Sequence, residues 1–321
     1  MSARSIAVVN MKGGVGKSST IVALAEALAA NGLGPILVVD ADTQATASYC
    51  LAGGETLKKL HDGIPGSDNN NPKTLDAFMI RRFVNNDKTA RLGDYIKFQA
   101  SKTTKGNNYL DISLVASSTT LRLSEREVLR KMTLERRNLV EIESEITSVL
   151  GDEIKRLSDR FAYILFDCAP GISPLTTAAI SISDLILVPT VPDAPSFLGL
   201  AAFLNSVHAE MPFSSSKRLP HVLITRLPRK PQKILAWTLG SARKARFDHY
   251  HAYAEKIREL AKGQEPRFVV LETAMPESRE MPQAMSLGGD SPGAAFTFNQ
   301  KYGTLVGDLD NLVAEIKKVF Q

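Results

Sequence analysis

The sequence predicts an α/β fold, a doubly wound, mostly parallel sheet flanked by helices. Three observations predict it. Short apolar runs alternate with longer helical stretches along the 321 residues, the pattern of strand–helix–strand units. Runs such as Pro35-Ile36-Leu37-Val38-Val39 are apolar without alternation, as strands buried on both faces are. The first run, Arg4-Ser5-Ile6-Ala7-Val8-Val9-Asn10, passes through a glycine-rich loop straight into a helical stretch, Ile21 to Ala30.

In chain order the strands fall near 5–10, 35–40, 110–115, 162–167, 185–189, 221–225 and 267–271. Helices follow near 18–31, 120–158, 174–182, 196–209, 231–262 and 300–320. All lie in a single domain, 1–321, with an expanded segment at about 53–160. Within the expansion, Gly63 to Pro72 has loop composition. Ser101 to Asn108 looks like a hairpin tip between Tyr95–Ala100 and Tyr109–Ala116. Leu121 to Phe161 is charged and helical. The last helix carries an apolar stripe, Leu305, Leu309, Leu312, Val313 and Ile316, at helical spacing.

Bulk properties narrow the function classes. No apolar run approaches the length that spans a bilayer. Met1-Ser2-Ala3-Arg4 leads directly into the first strand, which leaves no visible signal peptide. The two cysteines, Cys50 and Cys168, suit a reducing cytosol rather than a disulfide framework. The formal charge is only +5, but it is uneven. Between Lys217 and Lys262 twelve basic residues face three acids, an excess of nine. A patch of that kind attracts polyanions. Arg229, Lys230, Arg243, Lys244 and Arg246 are the candidate contacts. His249-Tyr250-His251 has no metal-ligand spacing and is expected as helix surface.

The chemistry concentrates in Lys12-Gly13-Gly14-Val15-Gly16-Lys17-Ser18-Ser19. Glycines let backbone N–H groups turn toward an anion, and the following helix adds its positive end. Lys17 can reach the β- and γ-phosphates, and the Ser18 hydroxyl can sit on Mg²⁺. The ordinary phosphate-loop pattern has glycine where Met11 stands, and Lys12 is an extra lysine. Two strands later carry acids at their carboxyl ends: Asp40-Ala41-Asp42-Thr43-Gln44 and Asp167-Cys168-Ala169-Pro170. Carboxylates there suit metal and water control.

Together these segments resemble the deviant Walker A ATPases of the ParA/MinD family, most closely the ParA-type partition ATPases. Thr43 stands for the family's usual proline, Ala169 for another, and Asp193 for a glutamate. The resemblance implies ATP and Mg²⁺ as cofactors. It implies that Gly13, Gly14, Val15, Gly16, Lys17, Ser18 and Ser19 hold the phosphates. Lys12 would reach the partner subunit's phosphates. Asp42 would position the attacking water, while Ser18, Asp40 and Asp167 would serve the metal. Thr225, Arg226 and Pro276 would lie by the base. It further implies slow, partner-stimulated ATP hydrolysis, an ATP-dependent homodimer and binding to DNA without sequence preference. A ParB-like or similar stimulating partner and a cytoplasmic, nucleoid-associated location follow. A MinD-like membrane-associated ATPase and a P-loop metabolic enzyme are the alternatives.

Overall fold

The computed structural model describes residues 2–63, 71–210, 219–229, 241–263, 266–287 and 295–321. The chain begins β1 (Arg4–Val8), α1 (Lys17–Ala30), β2 (Ile36–Ala41), α2 (Thr46–Ala52), α3 (Gly54–Asp62) and α4 (Leu75–Met79). It continues through β3 (Thr103–Lys105), β4 (Asn108–Tyr109), β5 (Ile112–Val115), α5 (Leu121–Leu134), α6 (Leu139–Leu157), β6 (Tyr163–Cys168), α7 (Pro174–Ile182), β7 (Leu185–Thr190) and α8 (Ala194–Glu210). It closes with β8 (His221–Ile224), α9 (Ser241–Ala261), β9 (Val269–Val270), α10 (Glu280–Leu287), β10 (Phe296–Thr297), α11 (Phe298–Tyr302) and α12 (Val306–Val319).

All seven expected strands form, and they make one sheet in the order β5-β2-β6-β1-β7-β8-β9. Every pairing in it is parallel. Each strand buries alternate residues on opposite faces. Ile6, Val8, Ile36, Val38 and Leu165 join α1 and α12 on one side. Ala7, Leu37, Val39, Ile164 and Phe166 join α6, α7 and α8 on the other. That double burial is why these strands are apolar throughout. β1 lies between β6 and β7, so β2 is not its neighbour. The carboxyl end of β1 therefore opens at the point where the strand order reverses, the usual ligand crevice of such sheets.

The expanded segment departs from expectation in three places. The helix expected over 120–158 is two helices, α5 and α6. Arg136 takes a positive φ of 64°, and Asn138 caps α6 in a reciprocal box with Glu141. A satisfied cap starts a new helix more favourably than a continuous one spans these residues. The hairpin is tighter than expected: β3 and β4 pair inside the expected tip, leaving Gly106-Asn107 as the turn. β3 also takes β10 as a parallel partner, with Thr103 opposite Phe296 and Thr104 opposite Thr297, which no local pattern announces. Residues 64–70 of the expected loop lie outside the described residues. The final helix is also divided. Gly303 at φ 50° separates α11 from α12 through a short turn at Gly303–Leu305. The apolar stripe of α12 is buried, Leu309, Leu312, Val313 and Ile316 all packing into the sheet's core. Among the described residues no helix is long and apolar enough to cross a membrane.

One buried polar cluster ties these additions to α1. Glu26 is fully buried and accepts from Lys301 Nζ at 2.8 Å, Tyr302 Oη at 2.7 Å, Ser101 Oγ at 2.8 Å and Thr103 Oγ1 at 2.7 Å. Breaking such a pair leaves an uncompensated buried charge, a loss of about 3–5 kcal/mol. Lys301→Met is expected to lower unfolding stability by that amount in urea titration. A change below about 1 kcal/mol contradicts this account.

Candidate functional site

The glycine-rich loop joins β1 to α1 and is pinned on both sides. Asn10 Nδ2 donates to the carbonyl of Pro189 on β7 at 2.8 Å, and Asn10 Oδ1 accepts from the Lys12 N–H at 2.9 Å. On the other side Thr225 Oγ1 donates to the Val15 carbonyl at 2.9 Å. Gly14 and Gly16 hold φ of 75° and 93°, the left-handed region, and a Cβ at either would meet no atom within 4 Å. The backbone angle, not space, calls for glycine there. Gly16 caps α1 with no side-chain hydrogen bond, and the first turn of α1 holds no acid. The positive helix end is thus left open to an anion.

Lys17 is buried, at 6% exposure. Its ammonium donates to the Lys12 carbonyl at 3.2 Å. Burial pulls its pKa down, while the nearby Asp167 and Asp42 carboxylates oppose the fall. β6 pairs with both β1 and β2 in register, setting Val8, Asp167 and Asp40 in one row. Asp167 is fully buried, and neither of its oxygens accepts a hydrogen bond. Burial, then the Asp40 charge, push its pKa well up; the Ser18 hydroxyl, close by but out of hydrogen-bond geometry, and Lys17 oppose the rise.

Asp40 is different. It is equally buried, but Oδ1 accepts from the Asp42 N–H at 3.0 Å and Oδ2 from Ser48 N–H and Oγ at 2.8 and 2.7 Å. Burial still raises its pKa, to about 6. Its bonds hold the turn between β2 and α2, where Ala45 sits at φ 48°. That turn presents Asp42, which accepts from the Gln44 N–H at 3.0 Å. Ser48 is a partner that sequence reasoning missed; its place eight residues after Asp40, on the following helix, was the only signal.

An orphaned buried carboxylate beside an uncapped helix end fits a divalent cation. Among the described residues no three His, Cys, Asp or Glu side chains gather as a metal cage. The fit is therefore to an ion such as Mg²⁺, held by one or two protein oxygens and by phosphates. Asp167 and Ser18 are the residues placed to hold it.

Lys12 does not join this group. Its ammonium donates to Ser196 Oγ at 2.8 Å and pairs with Asp193 Oδ1 at 3.3 Å, at the start of α8. Asp193 also accepts from the Ser196 N–H at 2.7 Å. Asp193, where the resemblance expects a glutamate, thus supplies a carboxylate that engages Lys12.

The expected base-side residues share a cavity of about 600 Å³ with the loop. Thr225, Arg226 and Pro276 line it beside Val15, Gly16 and Ser19. Arg226 holds φ 54°, and Leu227 bridges to Pro276 in parallel. Sequence reasoning missed the far wall, formed by Met281, Met285, Leu309 and Leu312. Its signals were the Met281–Met285 spacing of four and the apolar stripe that holds Leu309 and Leu312.

Among the described residues, two of the expected polyanion contacts are ion-paired. Arg229 pairs with Asp308 at 2.6 Å, and Arg246 with Glu277 at 2.5 Å. Lys244 is exposed. Lys230 and the Arg243 side chain lie outside the described residues. Both cysteines are free and buried, and His249 lies exposed on α9.

The family whose description is "AAA domain" matches residues 3–212, well over half of the chain. The chain belongs to that family, as a ParA-type P-loop ATPase. The match runs from the first strand to the end of α8 and takes in Lys12, Lys17, Asp42 and Asp167. The chromosome partitioning protein ParA of Caulobacter vibrioides is 27% identical over 208 residues, 64% of this ParA-type chain and 62% of that protein. The chain spans about half the length of the curated relatives it matches. Among solved structures, Cyanothece McdA in complex with ATP aligns with a TM-score of 0.63 at 17% identity, over 99% of this chain and 96% of that one. The pNOB8 ParA bound to nonspecific DNA aligns at 0.58 and 19%, over 99% and 97%. At these identities the two structures show the ParA-type fold alone.

Proposed function

We propose that this ParA-type chain hydrolyses ATP with Mg²⁺, dimerises around ATP, binds DNA without sequence preference and positions DNA or a protein cargo. The observation that carries the nucleotide half is the orphaned Asp167 carboxylate beside Lys17 and the uncapped Gly16. A phosphate would restore charge balance to Lys17, and a Mg²⁺ ion would bring charge stabilisation of the phosphates to Asp167 and Ser18. Gly13 to Ser19 cradle the phosphates through backbone N–H groups. Asp42, held rigidly by the Asp40–Ser48 bonds, orients the attacking water. Asp40 acts through that turn rather than on the metal directly. Lys12 leaves Asp193 and Ser196 to meet phosphates across the dimer.

The likeness to a partition protein and the basic excess near α9 support the DNA half. We also propose that residues 1–321 fold as one domain, because the expanded segment supplies edge strand β5 and shares both cores. A nucleoid-associated location and a stimulating partner, ParB-like or other, complete the proposal.

The test is Asp42→Ala. Loss of water positioning with phosphate contacts intact is expected to trap an ATP-bound dimer and to slow turnover about 100-fold. Light scattering after size exclusion reads the dimer, and co-sedimentation with duplex reads DNA. A variant that stays monomeric while fully loaded with ATP overturns the dimer. Wild-type protein that sediments with anionic vesicles but not with DNA replaces this reading by a membrane-bound one. A product other than ADP and phosphate replaces it by a metabolic enzyme.

A further inference from the structure

Helix α9 confines its acids to one flank. Arg246, His249, Tyr253 and Lys256 follow at spacings of three, four and three, one flank of a helix with 3.6 residues per turn. Arg246, His249 and Lys256 are exposed and Tyr253 is half-buried. The acids Asp248, Glu255 and Glu259, spaced seven and four, lie on the opposite flank. Lys244, four residues before Asp248, lies with them, as does half-buried Arg258, which pairs with Glu255 at 2.5 Å. Buried Ala254 and Ile257 form the seam between the two flanks.

The basic flank is braced by rings. The His249 ring centre is 4.9 Å from that of Tyr253, which packs edge-on against Phe197 of α8. Lys256 Nζ lies 4.6 Å above the Tyr253 ring, and the Arg246 guanidinium 5.4 Å above Tyr250. From Arg246 to Lys256 the row runs about 15 Å along the axis. That length matches about four steps of one duplex strand. Among the described residues of α9 itself, the one large aliphatic side chain left exposed to a bilayer is Leu260.

The first cation in the row is also tied to the nucleotide cavity. Glu277, which pairs with Arg246, lines that cavity next to Pro276. Both partners are more than a third exposed, so water screens the pair and a competing ligand can displace it.

We propose that the Arg246–Lys256 flank of α9 grips the duplex DNA backbone and that Glu277 is its removable counter-ion. A nucleotide whose amine or ribose hydroxyls engage Glu277 frees Arg246 for a phosphate, linking cavity occupancy to DNA affinity. This rests on the DNA-binding function proposed above. It moves the contact away from Lys244 and adds Lys256, His249 and Glu277 to the surface.

The test is a salt series of anisotropy titrations with a labelled duplex and the full chain, without and with ATP and Mg²⁺. Lys256→Gln is expected to weaken binding about fivefold near 0.15 M salt and to reduce the log–log salt slope by about 0.9, one phosphate contact. Lys244→Gln is expected to leave both values in place. Glu277→Gln is expected to tighten nucleotide-free binding by a similar factor and to narrow the difference made by ATP. Circular dichroism confirms that each variant keeps its helix content. Equal loss in Lys256→Gln and Lys244→Gln overturns the flank, and an unchanged nucleotide-free affinity in Glu277→Gln overturns the counter-ion. Wild-type protein that ignores duplex with ATP at low salt overturns the DNA-binding function itself, before any variant is made.

Discussion

Lys17→Ala is expected to lower ATP affinity about 100-fold or more, because a charge-assisted contact to phosphate is worth up to about 3 kcal/mol. The buried position of Lys17 sharpens the effect. Its ammonium faces the Asp167 and Asp42 carboxylates and one loop carbonyl, with little water to replace it. Alanine leaves two acids facing the incoming phosphate without a counter-charge. Isothermal calorimetry with ATP and Mg²⁺ reads the loss. Wild-type affinity in Lys17→Ala would remove the loop from the nucleotide site. Lys12→Ala makes the contrast, since Lys12 sits on Asp193 and Ser196, outside this cluster.

Asp167→Asn is expected to separate stability from function. The folded-state pKa of Asp167 lies above its ordinary value because burial and Asp40 disfavour the anion. A raised carboxylate contributes stability that is fully present below the ordinary range and is lost as pH rises through the folded value. Asp40, with a folded value of about 6, acts in the same direction, so the loss spans about pH 4 to 6 for that residue. At neutral pH without metal, the burial of Asp167 therefore works against folding. The neutral amide is expected to raise the urea midpoint of the ligand-free protein and to flatten its dependence on pH. The same change removes a candidate metal ligand. Loss of a supporting residue alone weakens a metal site about 10- to 100-fold, so Mg²⁺-dependent ATP binding is expected to fall at least about 100-fold. A variant that is less stable than wild type at pH 7 and still binds Mg²⁺-ATP normally contradicts the assignment.

How much was legible in advance differs from residue to residue. The parallel sheet was legible because strands buried on both faces must be apolar throughout, and Ile36 to Val39 or Leu185 to Val188 have few other uses. The loop was legible because Gly14 and Gly16 meet a backbone demand that other residues meet poorly. The junction between α5 and α6 was readable in part, since Asn138 and Glu141 carry a cap signature inside a charged run. The β3–β10 pairing was not readable, because two short strands nearly two hundred residues apart leave no local trace. Nor was the Glu26 cluster, whose lysine and glutamate look like ordinary surface charges in sequence.

By itself, the sequence determined the doubly wound class, the phosphate loop with its two lysines, and acids at the ends of β2 and β6. These are local: each follows from the backbone angles or burial pattern of a few adjacent residues. Tertiary structure alone decided how those acids differ. Asp40 found Ser48 and the Asp42 N–H, while Asp167, its neighbour in register, found no donor. It also decided which cations are committed, giving Arg229 to Asp308, Arg246 to Glu277 and Lys12 to Asp193. A charge is written in the chain, but its partner and its burial depend on residues brought together from far along it, and those set what the charge can do.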